Sequence, residues 1–114
     1  MTVSSFNYYI FRKLRNTNDE IKKIGKTIKK ENIGLFCIDQ EKGRGRQKRS
    51  WSSKKGDLTC SFLINRRFKI EDIGKINLFV ASILINTLQK IGIKDRVEYK
   101  WPNDIFIKKK KIGG

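Results

Sequence analysis

VEYKWPNDIFI, residues 97–107, is the stretch that decides the fold. Val97–Trp101 and Ile105–Ile107 are rich in β-branched and aromatic residues that suit a pleated surface, and Pro102, Asn103 and Asp104 between them are turn formers. Strands this close in sequence favour antiparallel pairing, because a parallel pair needs a long crossover. Toward the N-terminus, Ile73, Ile76, Val80, Ile83 and Leu84 recur at helical spacing and mark one face of a helix that ends before Gly92 and forms the main core element. Leu58–Asn65 reads as a strand, and Ile33–Ile38, a compact apolar run after Asn32, as a buried one. Ile21, Ile24 and Ile28 sit at helical intervals among lysines, so a helix is expected from Asn18 to Lys30, with Thr17 and Glu20 at capping-box spacing. Phe6–Leu14 is a first strand with Tyr8, Ile10 and Arg12 on one face. Interleaved helices and strands also suit a parallel sheet, but the Val97–Ile107 pair favours an α+β fold with a mixed, largely antiparallel sheet and helices on one side. No repeat or linker divides the chain, so one domain is expected.

The 114 residues suffice for one modest core, though they are few for an enzyme that must enclose two substrates. Lys and Arg number 27 against 11 acidic residues, and a net charge of +16 attracts nucleotide phosphates, nucleic acid or an acidic protein. An equally good reading is a compositional bias, since Lys, Ile and Asn also dominate stretches with no motif. The chain has no histidine, which excludes imidazole bases, catalytic triads and most metalloenzymes. Cys37 and Cys60 each lie in an apolar run without close pairing, as buried free thiols of a reducing compartment would. The longest apolar run, Leu78–Ile85, falls far short of the roughly 20 residues of a membrane span, and Ser4–Phe11 is too short for a signal sequence. A cytoplasmic protein without a membrane partner is expected.

From Asp39 to Asp57 the apolar pattern stops, and glycines and basic residues leave Trp51 as the one large apolar group. Within it lies GRGRQKRSW, residues 43–51. Glycine lets the backbone approach a ligand, and arginine supplies planar donors for phosphate or carboxylate oxygens, so the segment is built like an anion cradle. It is not a Walker A loop, for no Gly-Lys-Ser/Thr closes it, and it lacks the third glycine of a dinucleotide fingerprint. Arg44, Arg46, Lys48, Arg49, Lys54 and Lys55 repel one another, so residues 42–55 are expected to move until an anion neutralises them.

Three segments in order, NTND at 16–19, the stretch from Asp39-Gln40 through GRGRQKRSW, and KWPND at 100–104, resemble the S-T-N, GRGRxGRxW and KWPND segments of the biotin protein ligases. GDL at 56–58 is similar to the family's G-N-L and KIGG at 111–114 to its K-L-A-G. The resemblance covers essentially the whole chain and is to the N-terminal half of the catalytic domain. Members continue beyond this point to complete the sheet and often add a small C-terminal β-domain, so 1–114 is expected to be a partial catalytic domain with little activity alone. No helix-turn-helix precedes the first strand, and no specific DNA partner is expected. Three positions depart from the pattern: Asn16 for Ser, Lys48 for Gly and Asp57 for Asn.

The resemblance implies a class II synthetase-like domain that joins biotin to ATP, giving biotinyl-AMP and pyrophosphate, and passes the biotinyl group to a lysine of a biotin carboxyl-carrier protein. Arg44, Arg46 and Lys111 are then the candidate catalytic cations, acting on negative charge that builds at phosphorus. Biotin falls to Asn16, Thr17, Gln40, Gly43, Arg44 and Lys111. ATP and the adenylate fall to Arg44, Arg46, Arg49, Trp51 and Asn103, with Asp104 holding Mg2+ directly or through water. Plainer roles compete: Thr17 as a helix cap, Trp101 as a core packer, Asp104 as a turn cap, and Lys108, Lys109 and Lys110 as a solvated hairpin tip. Lys111 is chosen by the family's register, and a one-residue slip along four lysines would change its name. A lipoate-type acyl ligase of the same fold is the rival within the enzyme class, and KWPND and GRGR speak against it. A basic nucleic-acid-binding module, with Trp51 stacking on a base, is the rival outside it.

Overall fold

β1 (Phe6–Leu14) and β2 (Asn32–Gln40) run parallel, and the crossover between them is α1 (Thr17–Thr27). β5 (Thr59–Leu63) adds antiparallel to β2, giving a mixed sheet of order β1-β2-β5. This computed structural model describes residues 5–29 and 31–114, which form two compact units dividing after Arg66.

In the first unit, α1 lays Ile21 on Ile33 and Leu35, both fully buried, with Tyr9, Phe11, Leu14, Ile24 and Leu63 packed around them. Each fully buried aliphatic side chain contributes about 1.5–3 kcal/mol. The core-facing residues of β1 are therefore Tyr9 and Phe11, while Tyr8 and Ile10, 62% and 76% exposed, share the opposite face. On that face Gly34 lies opposite Tyr8 in the register, and a Cβ there would come within 2.7 Å of the Tyr8 ring.

The N-cap of α1 is Asn16, not Thr17: Asn16 is extended, and its side-chain oxygen accepts from Asp19 N–H at 3.1 Å. Thr17 is thus the first helical residue, and its hydroxyl is free to turn inward. Glu20 pairs with Lys23 at 3.2 Å, and it adds with Asp19 to the acidic first turn that suits the helix dipole. The helix ends at Thr27, and Lys30, its expected end, lies outside the described residues.

β2 extends past Ile38 to Gln40, opposite Leu14. The segment expected to be a loop contains a small hairpin, β3 (Gly43–Arg44) against β4 (Ser50–Trp51), closed by a 3-10 turn over Arg46–Lys48.

In the second unit, α2 (Ile73–Lys90) accompanies an antiparallel meander of β6 (Val97–Lys100), β7 (Asp104–Ile107) and β8 (Lys110–Gly113). Val97 pairs with Ile107 and Lys100 with Asp104, as the opening stretch of sequence predicts. Its core is Ala81, Val97 and Ile105, with Ile85, Leu88, Tyr99 and Ile107 against them. The helix face turned to this core is Ala81, Ile85 and Leu88, whereas Ile73, Val80, Ile83 and Leu84 are each more than 40% exposed. α2 is apolar most of the way round, so helical spacing alone does not single out the face that packs here. Lys108 and Lys109 close the β7–β8 hairpin with φ of 49° and 61°, the left-handed pair a type I′ turn requires. The architecture is α+β. Cys37 is buried and Cys60 half-buried, both as free thiols. Among the described residues no helix is long and apolar enough to cross a membrane.

Candidate functional site

Three elements of the first unit bring Asn16, Thr17, Gln40 and Gly43 together: the first turn of α1, the end of β2 and the start of β3. Asn16, Thr17 and Gln40 are all at most 9% exposed. A buried amide or hydroxyl must be bonded: Thr17 and Gln40 bond to each other, and Asn16 bonds to the backbone of Asp19 and Lys42. Gln40 Oε1 accepts from Thr17 N–H at 3.0 Å and from Thr17 Oγ1 at 3.2 Å, while Gln40 Nε2 donates to Ser53 Oγ at 3.2 Å. Asn16 Nδ2 donates to Lys42 C=O at 2.8 Å, which ties the helix cap to the residue before β3. Gly43 fits against this network because it has no side chain: a Cβ would come within 2.8 Å of Gln40 Nε2 and 2.6 Å of the Trp51 carbonyl oxygen.

Ser61 on β5 is a further member that the sequence reading passed over. Its hydroxyl lies 2.9 Å from Thr17 Oγ1 and 2.5 Å from Asn18 Oδ1, and it is 7% exposed. The available signal was alternation: Ser61 is a polar residue in step with Leu63, on the side of β5 that meets α1.

Beyond Gly43 the surface changes character. An open cleft of about 550 Å³ is lined by Arg15, Lys42, Arg44, Lys48 and Arg49 together with Glu41, Gly43, Ser50, Trp51 and Ser52. Five cations against one carboxylate make it attractive to an anion. Arg44 forks Asp19, Nη1 to Oδ2 at 2.7 Å and Nη2 to Oδ1 at 2.6 Å. That hydrogen bond holds the Asp19 carboxyl below its ordinary range and raises the Arg44 guanidinium. Arg49 donates to Gln47 Oε1 at 3.1 Å. Arg46 forms no ion pair among the described residues. Gln47 and Lys48 have φ of 55° and 59°, a conformation that glycine adopts without strain.

The remaining candidates belong to the second unit. Asn103 lies in the turn before β7, and Asp104, the first residue of β7, pairs with Lys111 on β8 at 2.8 Å. Lys108 pairs instead with Asp95 at 3.2 Å. Of the four lysines, Lys108 and Lys109 form the turn, and Lys111 is the one that meets Asp104. As a magnesium site the donors are a poor fit. The Asp104 carboxylate faces an ammonium, and among the described residues no three carboxylate, thiol or imidazole groups gather.

The sequence profile of the Biotin/lipoate A/B protein ligase family matches residues 10–114. Biotin--protein ligase 2 of Arabidopsis thaliana is 36% identical over 93 residues, 72% of this chain and 27% of its own length. The bifunctional ligase/repressor BirA of Escherichia coli is 32% identical over 88 residues, 71% of this chain and 26% of its own. Among solved structures, the biotin protein ligase from Aquifex aeolicus in complex with biotin and ATP superposes with a TM-score of 0.67 at 27% identity, covering 92% of this chain and 43% of that one. The Helicobacter pylori biotin acetyl coenzyme A carboxylase synthetase with bound biotinylated ATP gives a TM-score of 0.69 at 21% identity, covering 91% and 50%, and shows the fold. The chain thus spans about a quarter of the curated relatives' length and about half of the solved structures'. Because the profile takes in all but the first nine residues, the chain belongs to the Biotin/lipoate A/B protein ligase family.

Proposed function

We propose that this chain is the N-terminal part of the catalytic domain of a biotin protein ligase, which makes biotinyl-AMP from biotin and ATP and transfers biotin to a lysine of a biotin carboxyl-carrier protein in the cytoplasm. The observation that carries this reading is the position of Gly43, which joins a buried hydroxyl–amide network to a cleft lined by cations. Biotin has the same two-part character. Its uncharged bicyclic head needs a few placed donors and acceptors in a dry setting, and the Thr17 hydroxyl and Gln40 amide supply both kinds. Its carboxylate must meet the α-phosphate, so two anions have to be held together while charge grows at phosphorus.

The backbone of Gly43 and Arg44 leads from the first part to the second. Arg46 and Arg49 present their guanidinium groups to phosphate oxygens, and Trp51 packs over the adenylate; a part for Asn103 in orienting it rests on the family resemblance alone. Lys111 is assigned its charge on the reacting phosphate from the family resemblance. Attack by a biotin carboxylate oxygen on the α-phosphorus breaks the bond to the bridging oxygen and releases pyrophosphate. The carrier lysine then displaces AMP. Magnesium enters this scheme with the ATP phosphates rather than on a protein-built site.

Biotin is preferred over lipoate because GRGRQKRSW and KWPND are the segments shared with the biotin ligases. The test, in a protein competent for adenylate formation, is pyrophosphate release from ATP with biotin or lipoate as acyl donor, and, for this chain, thermal melting with biotin plus ATP or with an oligonucleotide. Biotin-dependent release and a raised midpoint are expected. Release with lipoate alone would move the assignment to the lipoate branch, and stabilisation by the oligonucleotide alone would point to nucleic-acid binding.

A further inference from the structure

Asp19 has no place in the scheme above, yet its carboxylate takes up both terminal nitrogens of Arg44 at 2.6 and 2.7 Å. A fork of this kind fixes the plane of the guanidinium as well as its position. It also spans 25 residues of sequence, joining the first turn of α1 to β3. The joint is doubled nearby. Asp19 N–H donates to the Asn16 cap at 3.1 Å, and Asn16 Nδ2 donates to Lys42 C=O at 2.8 Å. Asn16, Asp19, Arg44 and the Lys42–Arg44 backbone therefore form a closed ring around the entry to the glycine-arginine hairpin. Within that entry, Gly43 must stay against Gln40 and Trp51 with no room for even a methyl group.

We propose that Asp19 is a positioning residue: it clasps Arg44 and so holds Gly43 in its slot, making Arg44 the tether of the hairpin and leaving Arg46 as the cation that meets a ligand's anionic group. The fork commits one N–H of each terminal nitrogen and neutralises the Arg44 charge, whereas Arg46 carries no ion pair among the described residues. The part of the proposal that concerns ligand rests on the biotin ligase reading. The clasp itself does not.

The test uses the full chain with Asp19→Ala, Arg44→Ala, the double variant, Asp19→Glu and Arg46→Ala. The Asp19 and Arg44 side chains are 45% and 50% exposed, so the fold tolerates their loss, as far-UV circular dichroism would verify. Amide exchange is read at Gly45, whose N–H donates to Arg49 C=O, and at Thr17, whose N–H donates to Gln40. Each alanine variant is expected to speed exchange about two- to fivefold, the range of an exposed ion pair. The double variant should go no further than either single one, and Asp19→Glu should restore slow exchange. Binding of biotin methyl ester, an uncharged probe of the head-group site, should weaken in parallel with exchange. Pyrophosphate affinity should fall further in Arg46→Ala than in Arg44→Ala and rise in Asp19→Ala, where a freed guanidinium meets the anion. Additive effects of the two single substitutions, or an Arg44→Ala loss of pyrophosphate affinity as large as that of Arg46→Ala, would overturn the proposal. If neither the parent nor any variant binds the ester, the biotin reading fails while the exchange data still decide the clasp.

Discussion

Gly43→Ala puts the packing of the site to its most direct test. The added Cβ would lie 2.6 Å from the Trp51 carbonyl oxygen, 2.8 Å from Gln40 Nε2 and 3.2 Å from Trp51 Cδ1. Contacts below 3.0 Å do not persist, so something must move. The carbonyl belongs to the Gly43–Trp51 pair of the β3–β4 hairpin, and moving it opens that pair. The amide is held by Thr17 and Ser53 at 3.0–3.2 Å, and moving it leaves buried groups short of partners. Overpacking of a filled site costs about 1–3 kcal/mol, and each kcal/mol lowers the melting midpoint of a domain this size by about 4–8 °C. Gly45→Ala is the matched control, because its nearest contacts are 3.7 and 3.8 Å away. There the smaller entropy of an unfolded alanine should leave stability equal or slightly higher. Thermal melts of the two variants beside the parent, with amide exchange at Thr17, distinguish the cases. If Gly43→Ala melts like Gly45→Ala and Thr17 stays protected, the contact between β3 and the Gln40 network is not what holds the site in shape.

Thr17→Val keeps the shape of a side chain only 4% exposed but removes a donor to Gln40 and a partner of Ser61, so a urea titration should show a loss of about 1–3 kcal/mol. In a protein competent for adenylate formation, Lys111→Ala should slow that step by about 10²–10³ if its charge acts on the transition state, and Lys110→Ala should do far less. Equal effects at the two positions in pyrophosphate-release kinetics would refute the choice of Lys111. For the clasp, the folded Asp19 carboxyl lies below its ordinary value of 3.8, so its contribution is present above that value and is lost as pH falls through the lower, folded one. The Arg44 side-chain NMR signals should therefore stay constant down to about pH 4 and shift only below it, and Asp19→Asn should abolish that step.

What could be read from the sequence divides by the range of the interaction that decides it. β6 and β7 were legible because strand, turn and strand lie within eleven letters, and turn chemistry between two apolar runs leaves little choice of pairing. α2 was legible as a helix but not as a face, because Phe79, Val80 and Ile83 are as apolar as the Ala81, Ile85 and Leu88 that pack on the meander. The cap of α1 slipped by one residue. Asn16 and Thr17 both have capping side chains, and the choice was made by tertiary partners: Lys42 takes Asn16, and Gln40 with Ser61 takes Thr17. Ser61 and Asp19 went unassigned for the same reason, since their partners lie 44 and 25 residues away in sequence.

Lys48 shows how a turn of the kind glycine favours can be made without glycine. The resemblance put a lysine where glycine is usual, which left the path of the glycine-arginine segment open. In the structure, Gln47 and Lys48 both take positive φ, so the left-handed turn is made without a glycine at either position. Two non-glycine residues in that conformation are strained, and such strain persists only where the surroundings over-determine it. Those surroundings are the hairpin pairs Gly43–Trp51 and Arg44–Ser50, the Gly45 N–H bond to Arg49 C=O at 2.8 Å, and the Asp19 fork on Arg44. The turn that carries Arg46 is thus held from its two ends rather than by its own residues, so a change at Asp19 or Gly43 should reach Arg46 without touching it.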